Sequence, residues 1–309
     1  MPDLKQLKIQ FLEYLEIEKN RSPKTTENYD HYLNRFFDFA KVSQPAQITE
    51  ELIRKFRLHL NRLPNCQGST LTIGTLKKVT QNYHIIALRA FLKYLAKREI
   101  ESVSAEKIEL GKQEGRQVEF LEAKEVERLL NSPEGTGLAD LRDKAILETL
   151  FSTGLRVAEL CSLDRDKIDL KRGEVPVRGK GSKIRLVFFS DQAKKHVENY
   201  LKERSDADPA LFIRIPPKEA FAKYENLRLT PRSIQRIIRK HAIKAGIVGK
   251  NVSPHTLRHS LATDLLQNGA DIRSVQAILG HSSITTTQIY THVTDKGLRE
   301  VHDKYHNKK

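Results

Sequence analysis

Six residues in the C-terminal half of the chain could together act on a phosphodiester. They are Arg156, Lys180, His255, Arg258, His281 and Tyr290. A phenol is a poor nucleophile at neutral pH, because its pKa is about 10. It attacks usefully only where cations and hydrogen-bond donors stabilise the charge that develops on its target. Two guanidiniums, an ammonium and two imidazoles are the groups that a phosphodiester requires, so the set predicts an enzyme that joins itself covalently to DNA through Tyr290.

The two upstream cations lie where a backbone turn could bring them to a ligand. Arg156 follows Gly154 at a predicted helix start, and Glu159 is close enough along the chain to hold the Arg156 side chain. A guanidinium can bind two phosphate oxygens at once. Lys180 lies between two glycines in a predicted hairpin turn, where its ammonium can approach a ligand closely. Taken alone, the first pair is more typical of a helix surface and the second of a solvated turn.

A second group of candidates opens a helix. Ser253 and Pro254 form a serine cap and a proline at the first helical position. His255 and Arg258 then lie near the helix N-terminus, where free amides and the helix dipole favour an anion. His259, on the next turn, is expected to pack or to form a hydrogen bond rather than to catalyse.

The last two candidates flank a short predicted helix. Gly280 is expected to end one helix, and a serine cap in the pair Ser282-Ser283 to begin the next, which fixes His281 at the junction. Tyr290 ends that short helix nine residues beyond His281. A zinc site would need further ligands, and neither Asp264 nor His281 has convincing spacing, so no metal is expected.

Composition narrows the class of protein. The 309 residues carry a formal net charge of +15, and both the first 117 residues and the remainder are basic. Such a charge favours polyanions, and nucleic acid in particular, although ribosomal or membrane-surface proteins could share it. No signal core or membrane-length apolar run is present in the sequence, and Cys66 and Cys161 are expected to be free thiols in a reducing cytosol. The predicted location is the cytoplasm.

The elements that must position these residues are mainly helical. Apolar periodicity predicts a four-helix unit over 1–100, including a helix from about residue 75 to 98 after a loop at 64–68. Residues 101–119 lose this periodicity and are the predicted linker. A second domain over 120–309 combines helices with an antiparallel hairpin between residues 168 and 189. The fold class is therefore mainly α with a small antiparallel β-sheet.

In these motifs the chain resembles the tyrosine site-specific recombinase (lambda-integrase) family, and most closely its Xer branch. Residues 154–160 are similar to the family's first arginine motif, and 179–183 to its lysine hairpin. Residues 255–259 and 279–281 resemble its second and third boxes, and 286–293 its tyrosine motif. The helical N-terminal unit looks like the family's core-binding (SAM-like) domain, so the resemblance spans the whole chain.

The resemblance implies a transesterification like that of type IB topoisomerases. Tyr290 would attack the scissile phosphate, form a 3′-phosphotyrosyl bond and release a 5′-hydroxyl. Arg156 and Arg258 would hold the non-bridging oxygens as charge builds on them. The covalent link would keep the phosphodiester energy for religation, so no ATP, metal or other cofactor is expected.

The other three candidates receive supporting roles from the same resemblance. Lys180 would protonate the leaving 5′-oxygen. His255 would assist proton transfer around Tyr290, and His281 would donate a hydrogen bond to a phosphate oxygen.

Further basic residues are candidate contacts to double-stranded DNA. They are Lys24, Lys183, Arg185, Arg232, Arg236 and Arg239. Lys183 and Arg185 are expected to contact backbone phosphates, which position a duplex without reading its sequence. The last three line one face of the predicted 231–245 helix, a candidate major-groove reader, or else a solvated basic face.

Two departures from the family pattern affect local structure. Glu122 follows Leu121 where the family often has a threonine, so a helix cap is missing. Pro176 interrupts the strand before Lys180 and predicts an edge strand or a bulge.

Three functions remain open on the sequence. The first is an Xer-type recombinase that resolves chromosome dimers at a dif-like site during segregation. The second is an integrase of a phage, transposon or integron, and the third a non-catalytic DNA-binding accessory protein. The absence of an arm-binding domain before residue 4 favours the first. The family further implies a homo- or hetero-tetramer on the recombination site and Holliday junction, in which the tail after Tyr290 docks on a neighbour. It also implies a DNA translocase as activator.

Overall fold

The computed structural model describes residues 3–67, 70–111, 119–179, 184–216, 226–280, 283–288 and 290. The chain divides into two compact units, Met1–Arg116 and Gln117–Lys309, each with its own hydrophobic core. The division falls inside the stretch predicted as a linker. Among the described residues, no helix is both long and apolar enough to cross a membrane.

The N-terminal unit consists of helices and one antiparallel hairpin. In chain order its elements are α1 (Leu4–Ile17), α2 (Pro23–Ala40), α3 (Glu50–Arg62), β1 (Pro64–Gln67), β2 (Thr70–Thr75) and α4 (Lys78–Lys97). Leu7 and Phe11 of α1 are buried, as the apolar stripe predicts. Ser22 and Thr49 accept hydrogen bonds from backbone N–H groups and cap α2 and α3. The four predicted helices are confirmed.

The hairpin between α3 and α4 differs from the loop predicted there. β1 pairs with β2 in the antiparallel sense, with Pro64 opposite Thr75 and Gln67 opposite Thr70. Residues 70–75 read Thr-Leu-Thr-Ile-Gly-Thr, and their β-branched residues favour an extended strand over a helical first turn. The following helix therefore begins at Lys78 rather than near residue 75.

Part of the stretch predicted as a linker packs on the N-terminal unit. Ala105 and Ile108 are buried in that unit's core, around a short 3-10 turn. The side-chain amide of Asn82 donates to Gly111 O at 2.9 Å and accepts the Gly111 N–H at 3.2 Å. A few apolar residues without helical periodicity thus still anchor this segment, while residues 112–118 lie outside the described residues.

The second unit is helical around one short hairpin. In chain order its elements are α5 (Ala123–Asn131), α6 (Leu138–Thr153), α7 (Val157–Cys161), β3 (Glu174–Arg178), β4 (Ile184–Phe188), α8 (Asp191–Lys202), α9 (Pro231–Lys244), α10 (Pro254–Gln267), α11 (Ile272–Leu279) and α12 (Thr285–Gln288). α6 packs against α8 and α10, and its Ile146, Leu147 and Leu150 are fully buried. The predicted mainly helical class with a small antiparallel sheet is confirmed.

The β3–β4 hairpin has one buried and one exposed face. The register places Val175 opposite Val187 and Val177 opposite Arg185, and the three valines are buried. Ile184, Leu186 and Phe188 of β4 instead point to the exposed face, each with 46–68% of its surface accessible. The alternating pattern predicts the strands correctly, and the register decides which residues of β4 face inward.

The two departures from the family pattern are accommodated locally. The Glu122 N–H donates to the Glu125 side chain at 2.8 Å, so a carboxylate one turn into α5 takes part of the role of the missing cap. Pro176 lies in a regularly paired strand with no bulge. Its sheet has two strands among the described residues, so β3 is an edge strand. Of the two expectations for Pro176, the edge strand is therefore confirmed and the bulge is not.

Candidate active site

Arg258, near the start of α10, forms hydrogen bonds with the C-terminal ends of α6 and α11. Ser253 accepts the Thr256 N–H at 3.3 Å and caps α10, which begins at Pro254. Arg258 lies two residues after Thr256 and is 3% exposed. Its Nη1 donates to Gly154 O at 2.5 Å and its Nη2 donates to the carbonyl of Leu279. Helix C-termini carry partial negative charge, so both contacts stabilise the buried guanidinium.

The carbonyls that hold the arginines belong to sharply turned helix ends. Gly154 ends α6 with φ 59° and Gly280 ends α11 with φ 62°, a left-handed conformation that favours glycine. A Cβ on Gly154 would lie 2.9 Å from methyl groups of Leu261 and Leu279. Arg156 Nη2 donates to Gly280 O at 3.2 Å, so each of the two candidate arginines contacts the end of a helix.

Glu159 binds two arginines at once. Its carboxylate accepts from Arg156 Nη1 at 2.9 Å and from the Arg156 backbone N–H at 2.8 Å. Arg185 on β4 donates to the same carboxylate through Nη1 at 2.9 Å and Nη2 at 2.8 Å. The prediction that Glu159 holds Arg156 is confirmed. Burial opposes ionisation of Glu159, but these hydrogen bonds outweigh it and lower its pKa to about 2.

The two partners of Glu159 differ in exposure. The Arg156 side chain is 32% exposed, whereas that of Arg185 is 13% exposed. Arg156 therefore keeps an open side on which an anion could bind. Arg185 has its guanidinium against Glu159, and its expected contact with the DNA backbone stays a prediction.

The buried guanidinium of Arg258 lies near the charge of Arg156. Burial, followed by the charge of Arg156, lowers the pKa of Arg258 to about 10. This value leaves the guanidinium protonated at neutral pH. Two cations held close together, one of them buried, favour a bound anion, because electrostatic attraction is stronger where less water screens it.

Tyr290 lies two residues after α12 ends, rather than at the end of that helix as predicted, and is buried. Its side chain is 1% exposed and packs with Leu261, Val275 and Leu279 in a small apolar cluster. Burial raises the pKa of the phenol to about 12, and the charge of Arg258 partly opposes this rise. The candidate nucleophile and Arg258 are therefore neighbours, as the predicted chemistry requires.

The hydroxyl of Tyr290 is hydrogen-bonded to His259. The distance from Tyr290 Oη to His259 Nδ1 is 2.5 Å, and the two ring centroids are 5.4 Å apart. The expectation that His259 packs or forms a hydrogen bond is confirmed. The family resemblance implied that His255 assists proton transfer around Tyr290. His255 is exposed on the preceding turn, and its ring centroid is 6.4 Å from that of His259. The two histidines are four residues apart and share one helix face, and this spacing was the sequence signal that His259 could also lie near Tyr290.

Three predicted residues lie outside the described residues, namely Lys180, Lys183 and His281. Their roles stay predictions. Lys24 is exposed in the first turn of α2, where its Nζ lies 2.7 Å from Glu27 Oε2.

The predicted DNA-reading face of α9 is exposed. Arg232, Arg236 and Arg239 are all exposed, while Ile234 and Ile238 of the same helix are fully buried. The helix therefore has a basic exposed face, and its opposite face packs in the hydrophobic core. Its role in reading DNA stays a prediction.

Comparison with known proteins identifies the family. Residues 119–296 match the model of the phage integrase family, and residues 9–99 match the phage integrase N-terminal SAM-like domain. The chain belongs to the phage integrase family. It is therefore a tyrosine recombinase, an enzyme of DNA strand exchange that uses a tyrosine nucleophile, as the resemblance implied.

Relatives of this recombinase match along nearly its whole length. Tyrosine recombinase XerC of Thermodesulfovibrio yellowstonii is 35% identical, with 96% of this chain and 94% of the relative covered. Tyrosine recombinase XerD of Oceanobacillus iheyensis is 37% identical, with 96% of each covered. The crystal structure of XerH bound to a palindromic difH substrate, a post-cleavage complex, has the same fold. It aligns with a TM-score of 0.67 at 23% identity, covering 97% of this chain and 85% of that one.

Proposed function

We propose that this recombinase cuts and rejoins DNA through a 3′-phosphotyrosyl bond at Tyr290, and that it resolves chromosome dimers at a dif-like site. The observation that carries the chemical part is the grouping of Arg156, Arg258 and Tyr290. Two fixed guanidiniums and a phenol meet where α6, α10 and α11 end or begin. This arrangement suits an attack on a phosphate whose negative charge the two arginines stabilise.

The division of roles follows from exposure and charge. Arg156, with its open side, binds one non-bridging oxygen, and Arg258 supplies charge from within the protein. Cations fixed in advance need little reorganisation as charge develops in the transition state. Lys180, His255 and His281 complete the site in the roles that the family resemblance implies.

We expect Tyr290 to attack from a position different from the one it has in this structure. Its side chain is 1% exposed, and a duplex cannot place a phosphate against a hydroxyl that is enclosed by protein. We therefore expect DNA binding to expose Tyr290, with the short α12 as the element that shifts.

The cellular part of the proposal is supported by the relatives. Proteins named XerC and XerD match at 35–37% identity with at least 94% of their length covered. The proposal includes a homo- or hetero-tetramer that acts on two dif-like sites in the cytoplasm. The reaction passes through a Holliday junction, and a DNA translocase activates it. The tail after Tyr290 lies outside the described residues, and its Leu298, Val301 and Tyr305 are spaced in the sequence as docking on a neighbour would require.

A nicked suicide duplex tests the chemistry and the site preference together. The protein is incubated without added metal with duplexes that carry a dif-like sequence, mobile-element ends or a random sequence, and adducts are resolved on a denaturing gel. We expect an adduct on the dif-like duplex with the native protein and none with Tyr290→Phe. An adduct that survives in Tyr290→Phe contradicts the assigned nucleophile, and a preference for mobile-element ends contradicts the cellular role.

A further inference from the structure

Arg185 on β4 contacts both groups that fix Arg156. Its terminal nitrogens donate to the two carboxylate oxygens of Glu159, Nη1 to Oε1 at 2.9 Å and Nη2 to Oε2 at 2.8 Å. We propose that Arg185 is a positioning residue for strand cleavage, which holds Arg156 in its phosphate-binding orientation and does not itself contact DNA. This inference rests on the proposed function, because it deepens the chemistry of the same site.

The carboxylate of Glu159 divides its oxygens evenly between the two arginines. Oε1 accepts Nη1 of Arg156 at 2.9 Å, and Oε2 accepts the Arg156 backbone N–H at 2.8 Å. Arg185 supplies one further hydrogen bond to each oxygen through the planar fork of its guanidinium, which fixes the plane of the carboxylate. The Arg156 side chain is therefore limited to Oε1, and its open side stays available to an anion.

Arg185 also packs on Gly280, the second group that fixes Arg156. A Cβ on Gly280 would lie 2.8 Å from Cδ and 3.0 Å from Nε of Arg185, so the arginine lies directly against the glycine backbone. The carbonyl of Gly280 accepts Nη2 of Arg156 at 3.2 Å. With Nε buried and both terminal nitrogens on Glu159, the Arg185 side chain is 13% exposed and has little surface left for a phosphate.

The register of the hairpin brings this charge into the protein. Arg185 is opposite Val177 and lies two residues before Val187, so it shares the inward face of the hairpin with these two buried valines. A shift of one residue would move it to the exposed face, beside Leu186. A charge at an inward strand position is tolerated only where it is paired. The strand therefore delivers Arg185 to Glu159 and not to the solvent.

Arg185 further changes the charge balance around Arg156. Arg156 and Glu159 alone cancel each other, whereas the three groups together carry one net positive charge. Burial raises the pKa of Glu159, but hydrogen bonds lower it to about 2, and the side-chain bonds from Arg185 lower it most. Without Arg185, both carboxylate oxygens could pair with the fork of Arg156 and turn it away from Gly280 and the phosphate.

Cleavage rate and DNA affinity, measured separately, test this role. Native protein and Arg185→Met, each in excess, react with a nicked suicide duplex, and the rate of adduct formation is taken at saturation. Fluorescence anisotropy from low to moderate salt gives the affinity. We expect Arg185→Met to slow the saturated rate by up to about 10²-fold, the usual effect of a small misplacement, with affinity and salt slope unchanged. Arg185→Lys keeps the charge without the fork and should recover part of the rate.

A second substitution separates positioning from a loss of stability. In Arg185→Met the Glu159 carboxylate is left unbalanced, and adding Glu159→Gln removes that charge and releases Arg156. We expect the double variant to react faster than Arg185→Met, by about 2- to 150-fold, the range for residues in one charged network. Arg204→Met, which breaks another buried arginine–carboxylate pair in the same unit, should lower the unfolding temperature and keep the saturated rate.

Thermal unfolding is measured on every variant. Should Arg185→Met fail to fold, Arg185→Lys and the charge-balanced double variant carry the comparison, because neither leaves Glu159 ionised without a second cation. In that case Arg185→Lys must be slower than the native protein at saturation while binding DNA equally well.

Three results would overturn the inference. The first is a saturated rate within about twofold of native in the Arg185 variants that fold, and the second is a double variant no faster than Arg185→Met. The third is weaker binding with a salt slope reduced by about 1, which would make Arg185 a contact to the DNA backbone. Tyr290→Phe tests the proposed function separately: an adduct that persists there refutes the nucleophile, whereas its loss there beside a native rate in Arg185→Met refutes the positioning role alone.

Discussion

The two sides of the candidate site are built in opposite ways. On the arginine side, charged groups are fixed by helix-end carbonyls and by Glu159, and the Arg156 side chain keeps about a third of its surface open. On the tyrosine side, the phenol is enclosed in an apolar cluster and held by a single histidine. The difference indicates that the arginine side is preorganised, and under the proposed function the tyrosine side keeps the nucleophile in a protected position until DNA binds.

The largest expected effect is at the buried arginine. Arg258→Ala removes a fixed cation and leaves the carbonyls of Gly154 and Leu279 without their donor. We expect DNA cleavage to fall by about 10²- to 10³-fold, the usual cost of one such donor. The free energy of unfolding should fall by about 1–3 kcal/mol for each carbonyl left unpaired. Cleavage timed on a suicide duplex and urea unfolding measure the two effects.

Arg258→Lys and Arg232→Ala are the matched controls for this change. The lysine keeps the charge but cannot reach both carbonyls at once, so it should recover only part of either effect. Arg232 is exposed on α9, and its removal should leave the unfolding free energy unchanged. A native cleavage rate in Arg258→Ala would show that the arginine side is not the phosphate-binding half.

The next effect is at the carboxylate between the arginines. Glu159 has a folded pKa of about 2, below its ordinary 4.5. A depressed pKa adds stability above about pH 4.5 that is lost as the pH falls towards about 2. Glu159→Gln should therefore lower stability at neutral pH and flatten its fall between those pH values. Thermal unfolding from pH 2 to 7 measures this, and a slope as steep as that of the native protein would contradict it.

Glycine replacements test how the helix ends shape the arginine side. Gly154→Ala imposes the left-handed strain of φ 59° and also a clash with Leu261 and Leu279. Gly246→Ala imposes comparable strain at φ 65° with nothing within 4 Å of the new carbon. We expect a loss of about 1 kcal/mol for Gly246→Ala and a clearly larger loss for Gly154→Ala, measured by urea unfolding. Equal losses of unfolding free energy would show that Leu261 and Leu279 move aside for the added methyl group at little cost.

The smallest effect lies outside the site, on the exposed face of α9. Arg236→Ala should weaken duplex binding modestly and reduce the slope of log affinity against log salt by about 1, as loss of a phosphate contact does. Gln235→Ala, an exposed neutral neighbour on the same helix, is the matched control. Binding is followed by fluorescence anisotropy from low to moderate salt, and an unchanged slope would indicate that α9 does not contact the duplex backbone.

Much of the fold could be predicted because its signals are local. Ser22 and Ser253 cap the helices they were expected to cap, and α9 and α10 run over nearly the predicted residues. The hairpin over 64–75 was not predicted, because its short strands fall between two strong helical patterns. Cross-strand pairing, which the composition of either short strand alone does not encode, decides such segments.

Residue types and their order along the chain select the candidate site residues, but they do not predict the contacts of those residues. The sequence indicated that Glu159 could hold Arg156, since the two are three residues apart. It gave no sign that Arg185, on a strand 26 residues further on, shares the same carboxylate. The contact of Tyr290 with His259 rather than with His255 likewise depends on how Tyr290 packs against α10, which spacing along the chain does not determine.

Mapping the covalent adduct tests the central claim most directly. The protein is reacted with a suicide duplex labelled on the strand that carries the scissile phosphate, digested with trypsin and nuclease, and the nucleotide-bearing peptide is sequenced by mass spectrometry. The account predicts that the nucleotide is linked through a 3′-phosphate to Tyr290. Linkage to any other residue, or a 5′-phosphate linkage, would contradict it.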